Sequence, residues 1–283
     1  MIWKNNETIL EEKQREGVTL LEYPLLNRTG VVRHCFTTRD GGVSEGIFST
    51  MNLSYTRGDK KEAVDENYRR LAKALQVSCD DFVLSDQTHT TNVRRVTRAD
   101  AGKGLMRERD YHDVDGLITN EPGLVLSTFY ADCVPLYFVD PVRRAIGLSH
   151  SGWRGTVARM GKVTIEAMTK EFGTNPDDLV CAIGPSICQD CYEVSADVAE
   201  QFQKEFPGKE AEILREKANG KYQLDLWRAN QIILMEAGVR AEKIAVTNLC
   251  TCCNPDRLFS HRASQGKRGN LGAFLYLTET SHR

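Results

Sequence analysis

Apolar and polar positions change rhythm several times along this chain. Residues 31–38 (VVRHCFTT) form a short β-branched and aromatic run that ends at the polar turn Arg39-Asp40-Gly41-Gly42, which predicts a strand. From 60 to 76 the rhythm lengthens to that of a helix, with Val64, Leu71 and Leu75 on one face. Residues 81–96 read as a strand, an irregular SDQTHT segment and a second strand. Asp113-Val114-Asp115-Gly116 leads into another strand at Leu117-Ile118-Thr119. The runs 124–130 and 134–139 are apolar and β-rich, and Ala145 to Leu148 is a short strand ending at His150. Helical spacing returns from Gly155 to Phe172 through Val157, Met160, Val163, Ile165 and Met168. Residues 179–183, 244–249 and 272–277 read as strands, and 195–206 and 224–237 as helices.

Strands and helices are interspersed without alternating one to one, and no Gly-x-Gly-x-x-Gly follows an early strand. The pattern predicts an α+β fold, with a mixed sheet or stacked sheets covered by helices, and argues against a doubly wound nucleotide-binding fold. No repeat, low-complexity tract or linker-like stretch interrupts residues 1–283, so one domain is expected.

Composition narrows the function classes. A hydrophobic content of 41% against 27% charged residues suffices for a sizeable core. The formal net charge of -2, from 37 Lys and Arg against 39 Asp and Glu, gives no basic excess for nucleic acid or an anionic membrane. No apolar run reaches membrane-spanning length, and the first residues, MIWKNNETILEEKQREG, lack the apolar core of a secretory signal. A cytoplasmic location is expected. Nine cysteines, an odd number, then read as buried thiols, ligands or nucleophiles rather than as a disulfide framework.

Three segments each offer one metal-capable side chain at the edge of a strand-like run. They are His89 in SDQTHTTNV, Cys133 in YADCVPLYF and His150 in GLSHSGWRG. Two imidazoles and a thiolate suit zinc or copper, and a tripod leaves a fourth position open, as a catalytic site requires. The spacing alone is weak: a lone histidine is ordinarily a hydrogen-bonded residue and a lone cysteine a small buried hydrophobe. The polar surroundings of His89 and the carboxylate of Asp132 beside Cys133 favour function, with Asp132 as ligand-orienting group or general base. The same three residues would equally make a Cys–His hydrolase, with Cys133 as nucleophile.

Other candidates concern anions. In His150-Ser151-Gly152-Trp153-Arg154-Gly155 a strand gives way to a helix, and Arg154 supplies a planar cation suited to phosphate, against the plain alternative of a turn with a surface ion pair. The glycine-rich run from Thr37 to Gly46 offers Arg39, although a flexible surface hairpin is the stronger reading of it. Asn52 and Ser54 follow as hydrogen-bonding candidates. Cys188, Cys191 and Cys250-Thr251-Cys252-Cys253 invite a zinc reading, and Cys188-Gln189-Asp190-Cys191 has the two-residue gap of a zinc ribbon. A four-cysteine site would leave the tripod unexplained and crowd neighbouring thiols, so the tripod is preferred to it.

Taken together, HCFTTRDGGVSEGIFSTMNL, the QTH segment, DVDGLIT, ADCVPL, SHSGWRGT, AIGPSICQDCYEV, DLWRANQIIL and NLCTCCNPDRLFSHR resemble the laccase-domain family, formerly called multicopper polyphenol oxidase-like. The resemblance covers nearly the whole chain. It departs near the end, where Lys267-Arg268-Gly269-Asn270 stands in place of a Thr-Gly-Arg, so a role carried by that arginine would pass to Arg268 or Arg262. The resemblance implies a single domain with a β-sandwich-like centre flanked by helices in α/β/β/α-like layers. It also implies a zinc site at His89, Cys133 and His150. The activities it implies are phosphorolysis of adenosine, inosine, guanosine and methylthioadenosine, and hydrolytic deamination of adenosine. Nucleoside and phosphate would be the partners, with no nucleic acid and no membrane. Relatives also suggest an alternative, a metal-dependent hydrolase that edits peptidoglycan precursors. A third reading, from another class, is a non-catalytic module with a closed zinc site. A copper polyphenol oxidase of the laccase type needs roughly ten histidine ligands, and this chain has six histidines in all.

Overall fold

The computed structural model describes residues 1–279. Two six-stranded sheets face each other. The first runs in the spatial order Glu11–Arg15, Val18–Glu22, Val32–Thr37, Leu271–Leu277, Val125–Tyr130, Phe82–Leu84. The second runs Ile244–Val246, Val180–Ile183, Val134–Asp140, Ala145–Ser151, Gly116–Thr119, Val93–Arg95. Both mix parallel and antiparallel pairs, as in Phe82–Leu84 parallel to Val125–Tyr130 and Val134–Asp140 antiparallel to Ala145–Ser151.

Strand alternation assigns each layer. Along Val134–Asp140 every residue is buried. Tyr137 and Val139 point into the core between the sheets, while Val134, Leu136 and Phe138 face a second core under helices Met160–Phe172 and Leu226–Glu236. Leu271–Leu277 repeats the arrangement, with Leu271, Ala273, Leu275 and Leu277 inward and Phe274 and Tyr276 packed with Val64, Tyr68 and Leu71 of helix Lys61–Leu75. A strand covered on both faces carries no polar alternation, which is why these segments read as continuous apolar runs. The layers are helix, sheet, sheet, helix, as expected from the sequence.

Three differences from the sequence reading have local causes. The helix expected over 155–172 is two helices, Trp153–Val157 and Met160–Phe172, broken where Arg159 takes the left-handed conformation at φ 58°. There its guanidinium pairs with Glu205 and Glu236. The hairpin Glu11–Arg15 with Val18–Glu22 escapes a periodicity search because its outer strand, EEKQR, is a charged sheet edge. A small sheet of Glu193–Val194, Tyr222–Leu224 and Leu214–Glu216 is too short to read from pattern. Among the described residues no helix is long and apolar enough to cross a membrane.

Candidate metal centre

Cys133 lies where the chain leaves one sheet for the other, between strands Val125–Tyr130 and Val134–Asp140. His150 stands near the end of Ala145–Ser151, paired with Pro135 across the ladder. His89 comes from the irregular segment between Leu84 and Val93. The three ligand atoms lie within 4.8 Å of one another. Cys133 Sγ is 3.9 Å from His89 Nε2, and the two imidazoles meet edge to face at a centroid separation of 4.9 Å.

The local backbone is shaped for this convergence. His89 has φ 69° and Asp132, next to Cys133, has φ 91°, both in the left-handed region that costs a non-glycine residue of order 1–3 kcal/mol. Gly152 makes room. A Cβ there would sit 3.0 Å from His89 Cδ2 and 3.1 Å from Cys133 Sγ, pressing on two of the ligands.

Asp115 organises the centre from behind and is fully buried. It accepts the backbone N–H groups of Thr88, His89 and Thr90 at 3.1, 3.1 and 2.9 Å, the Thr90 hydroxyl at 2.9 Å, and bonds His150 Nδ1 at 2.8 Å. One carboxylate therefore fixes the loop that carries His89 and turns Nε2 of His150 toward Cys133. A carboxylate behind a metal-binding histidine has this arrangement. Burial alone would raise the Asp115 carboxyl, but the bonds and charge from His150 and the backbone donors hold it below its ordinary range.

The electrostatics prepare the thiol as a ligand. Burial would raise Cys133, but the charge and hydrogen bond of His150, then those of His89, bring it down to about 6. Burial opposes the charge of His150, yet Cys133 and Asp115 raise it to about 9. A thiolate at neutral pH between two imidazoles, one buttressed by a carboxylate, fits a borderline-soft divalent cation with an open fourth position.

The tripod opens on a cavity of about 990 Å³. Arg57, Arg109 and Arg268 face it, together with Tyr55, Phe129 and Asn270. Arg268 is 9% exposed, and its Nε has no hydrogen-bond partner. Burial and the charge of Arg57 lower its pKa to about 10. A buried guanidinium with an unpartnered N–H, beside a second arginine at a cavity wall, is chemistry suited to an anion.

Residues 33–278 match the family model described as multi-copper polyphenol oxidoreductase laccase. The chain is 38% identical over 248 residues to the purine nucleoside phosphorylase YlmD of Bacillus subtilis (strain 168), covering 86% of this chain and 88% of that protein. It is 36% identical over 227 residues to the adenosine deaminase RL5 of an unknown prokaryotic organism, with 80% and 86% covered. The crystal structure of YlmD from Geobacillus stearothermophilus superposes with a TM-score of 0.88 at 34% identity, over 96% of this chain and 99% of that one. The chain belongs to the laccase-domain family.

The remaining expected site residues divide by place. Ser54 lines the cavity. Asn52 is buried beneath it, its Oδ1 accepting the N–H groups of Ser54 and Asn270 at 3.0 and 2.9 Å. Asp132 is not among the cavity-lining residues. Its Oδ1 accepts the Thr251 hydroxyl at 2.6 Å and its Oδ2 the Arg262 N–H at 2.7 Å. Arg39 and Arg154 also lie off the cavity wall. Arg39 bonds the carbonyls of Ser49 and Pro255 and covers Phe259, and Arg154 lies over Trp153. Arg262 bonds the carbonyls of Cys191 and Glu193. Two groups at the site were not singled out from sequence, Asp115 and Arg57. DVDG marked a strand start but not a ligand support, and nothing near Arg57 signals an anion.

Proposed function

We propose that the chain is a zinc-dependent purine nucleoside enzyme of a single catalytic domain, working in the cytoplasm. It would cleave adenosine, inosine, guanosine and methylthioadenosine with phosphate, and hydrolyse adenosine to inosine and ammonia. The observation that carries this reading is the open tripod at the wall of a cavity that Arg57 and Arg268 also line. The names of the relatives, purine nucleoside phosphorylase and adenosine deaminase, support the substrate class.

His89, Cys133 and His150 would hold the ion, and the same donors accept copper. When bound, zinc supplies Lewis acidity and a water whose pKa falls to about 7. Asp115 keeps His150 and the His89 loop in register. Arg57 and Arg268 take the phosphate in place of Arg39 and Arg154, because only the first pair faces the cavity. Holding that anion beside the ribose carbon, where the glycosidic bond breaks, supplies the placement and charge stabilisation that phosphorolysis needs. Phe129 and Tyr55 offer flat faces for the base. Asp132, with both oxygens engaged, acts through Cys133 and not on the substrate.

The test is an assay of metal-quantified protein with adenosine, with and without phosphate, reading products by chromatography. Adenine and ribose 1-phosphate formed only with phosphate, or inosine formed without it, are the expected results. One observation favours a second reading: the cavity is at the top of the ~300–1,000 Å³ range of small-molecule sites. No turnover of any nucleoside by fully metallated protein would move the assignment to the hydrolase acting on a peptidoglycan precursor.

A further inference from the structure

The structure does not force a choice between the tripod and the four cysteines, because both clusters form. Cys188, Cys191, Cys250 and Cys253 bring four sulfurs within 4.8 Å of one another. Each pair comes from a Cys-x-x-Cys turn. Cys191 N–H bonds the Cys188 carbonyl at 3.1 Å in the first, and Asn254 N–H bonds the Thr251 carbonyl at 3.2 Å in the second. The two turns are joined by the bridge between Ser186 and Cys250 and by the Thr251 N–H to the Ser186 carbonyl at 3.1 Å. Cys191 Sγ and Cys253 Sγ approach to 3.5 Å.

We propose that these four cysteines bind a structural zinc ion, and that this second centre holds the Asp132-Cys133 turn of the tripod in place. An ion about 2.3 Å from four tetrahedral sulfurs separates them by roughly 3.8 Å, which suits the observed cluster. Iron–sulfur clusters spread their terminal thiolates across the width of the cluster, so sulfurs this close suit a single ion. Four protein ligands close the coordination shell, and Cys188 and Cys250 are buried. Binding converts four thiols and Zn²⁺ into a tetrathiolate dianion and releases four protons. The surroundings favour that charge. The Cys188 N–H points at Cys250 Sγ from 3.2 Å, and the Lys4 ammonium is bonded at 3.2 Å to Asp190, inside the first Cys-x-x-Cys turn.

The link to the tripod is direct. Thr251, between Cys250 and Cys253, donates its hydroxyl to Asp132 Oδ1 at 2.6 Å. Ile187, just before Cys188, donates its N–H to the Asp132 carbonyl at 3.0 Å. Both turns of the four-cysteine cluster therefore grip the residue whose left-handed conformation sets the direction of Cys133.

Metal analysis tests this, with the double variant C133A/H150A isolating the second centre. The protein as purified should carry about two zinc ions per chain, and C133A/H150A about one. Cobalt placed in C133A/H150A should show the intense thiolate-to-metal absorption of a tetrahedral all-sulfur site. C191S/C253S should lose one zinc, melt at lower temperature and surrender the tripod ion to a chelator more readily than the unaltered chain; equal release would overturn the link to the tripod. A folded C133A/H150A protein with no metal and no cobalt absorption overturns the proposal. So does iron in place of zinc, or a peptide map of anaerobically purified protein showing Cys188–Cys250 and Cys191–Cys253 disulfides.

Discussion

His89, Cys133 and His150 bring three ligand atoms to the wall of a wide cavity, whereas Cys188, Cys191, Cys250 and Cys253 bring four to a seam between two turns. The tripod mixes nitrogen and sulfur, stands in front of a buried carboxylate and opens on a cavity lined by Arg57 and Arg268 among others. The four-cysteine cluster has a single kind of donor and no free position. The difference teaches that the number of donors and what surrounds them, more than their metal affinity, separate a centre that acts on a substrate from one that holds the fold. Both clusters touch the same residue, Asp132, through Cys133 on one side and Thr251 on the other.

Removing a tripod ligand is the harshest way to break that comparison. C133A or H150A should cost the tripod its metal and lower turnover by several kcal/mol of barrier, roughly 10³-fold or more. The four-cysteine metal and the melting transition should persist. Metal analysis, calorimetry and the nucleoside assay on one preparation check all three. Activity retained in protein lacking the tripod ion would show that the ion plays no part.

Asp115→Asn sharpens the same contrast with a smaller effect. The amide keeps the shape, but its NH2 replaces one oxygen, so it meets either the N–H groups of Thr88 and Thr90 or that of His89, and the charge facing His150 is lost. Tripod affinity should fall about 10–100-fold, as for other carboxylates behind metal-binding histidines. The four-cysteine ion should be unmoved. Competition with a chromophoric chelator reads both, and an equal loss at the two centres would mean general unfolding.

Arg57→Ala and Arg268→Ala leave both metals alone and act on the cavity. Loss of one charge-assisted contact, worth about 1.5–3 kcal/mol, should raise KM for phosphate roughly 10- to 100-fold. Deamination of adenosine, which uses no phosphate, should change little. Equal damage to both reactions would move these arginines from the phosphate to the nucleoside.

Much of this was legible in the sequence, and the exceptions share a cause. Val134–Asp140 and Leu271–Leu277 announce themselves because strands buried on both faces are apolar throughout. His89, Cys133 and His150 were visible as donors at strand edges. Asp115 was not, because its role appears only when the 88–90 backbone folds over it. Arg57 needs a cavity wall to acquire meaning. The gap between Cys188 and Cys191 was plain as a spacing, but its union with Cys250 and Cys253 depends on a contact across 62 residues, which the hydrophobic pattern does not encode. The break at Arg159 likewise depends on Glu205 and Glu236, carried by other helices.

The mildest test uses pH on protein freed of the tripod ion. Cys133 is lowered from 9.0 to about 6, so its contribution to stability grows as pH rises from about 6 and is complete above 9. His150 is raised from 6.5 to about 9, so its contribution is complete below 6.5 and lost as pH rises through about 9. The two run in opposite directions over the same window, and the melting temperature should stay nearly level across it. Thiol reactivity separates them, because only the thiolate is alkylated. Peptide-resolved alkylation should place the midpoint of Cys133 near 6, below that of an ordinary cysteine at about 8.5. Asp115→Asn, which withdraws support from the charge on His150, should move that midpoint upward. A midpoint already at the ordinary value in the unaltered chain would mean that His150 carries no charge beside the thiol, and that the tripod needs its metal to assemble.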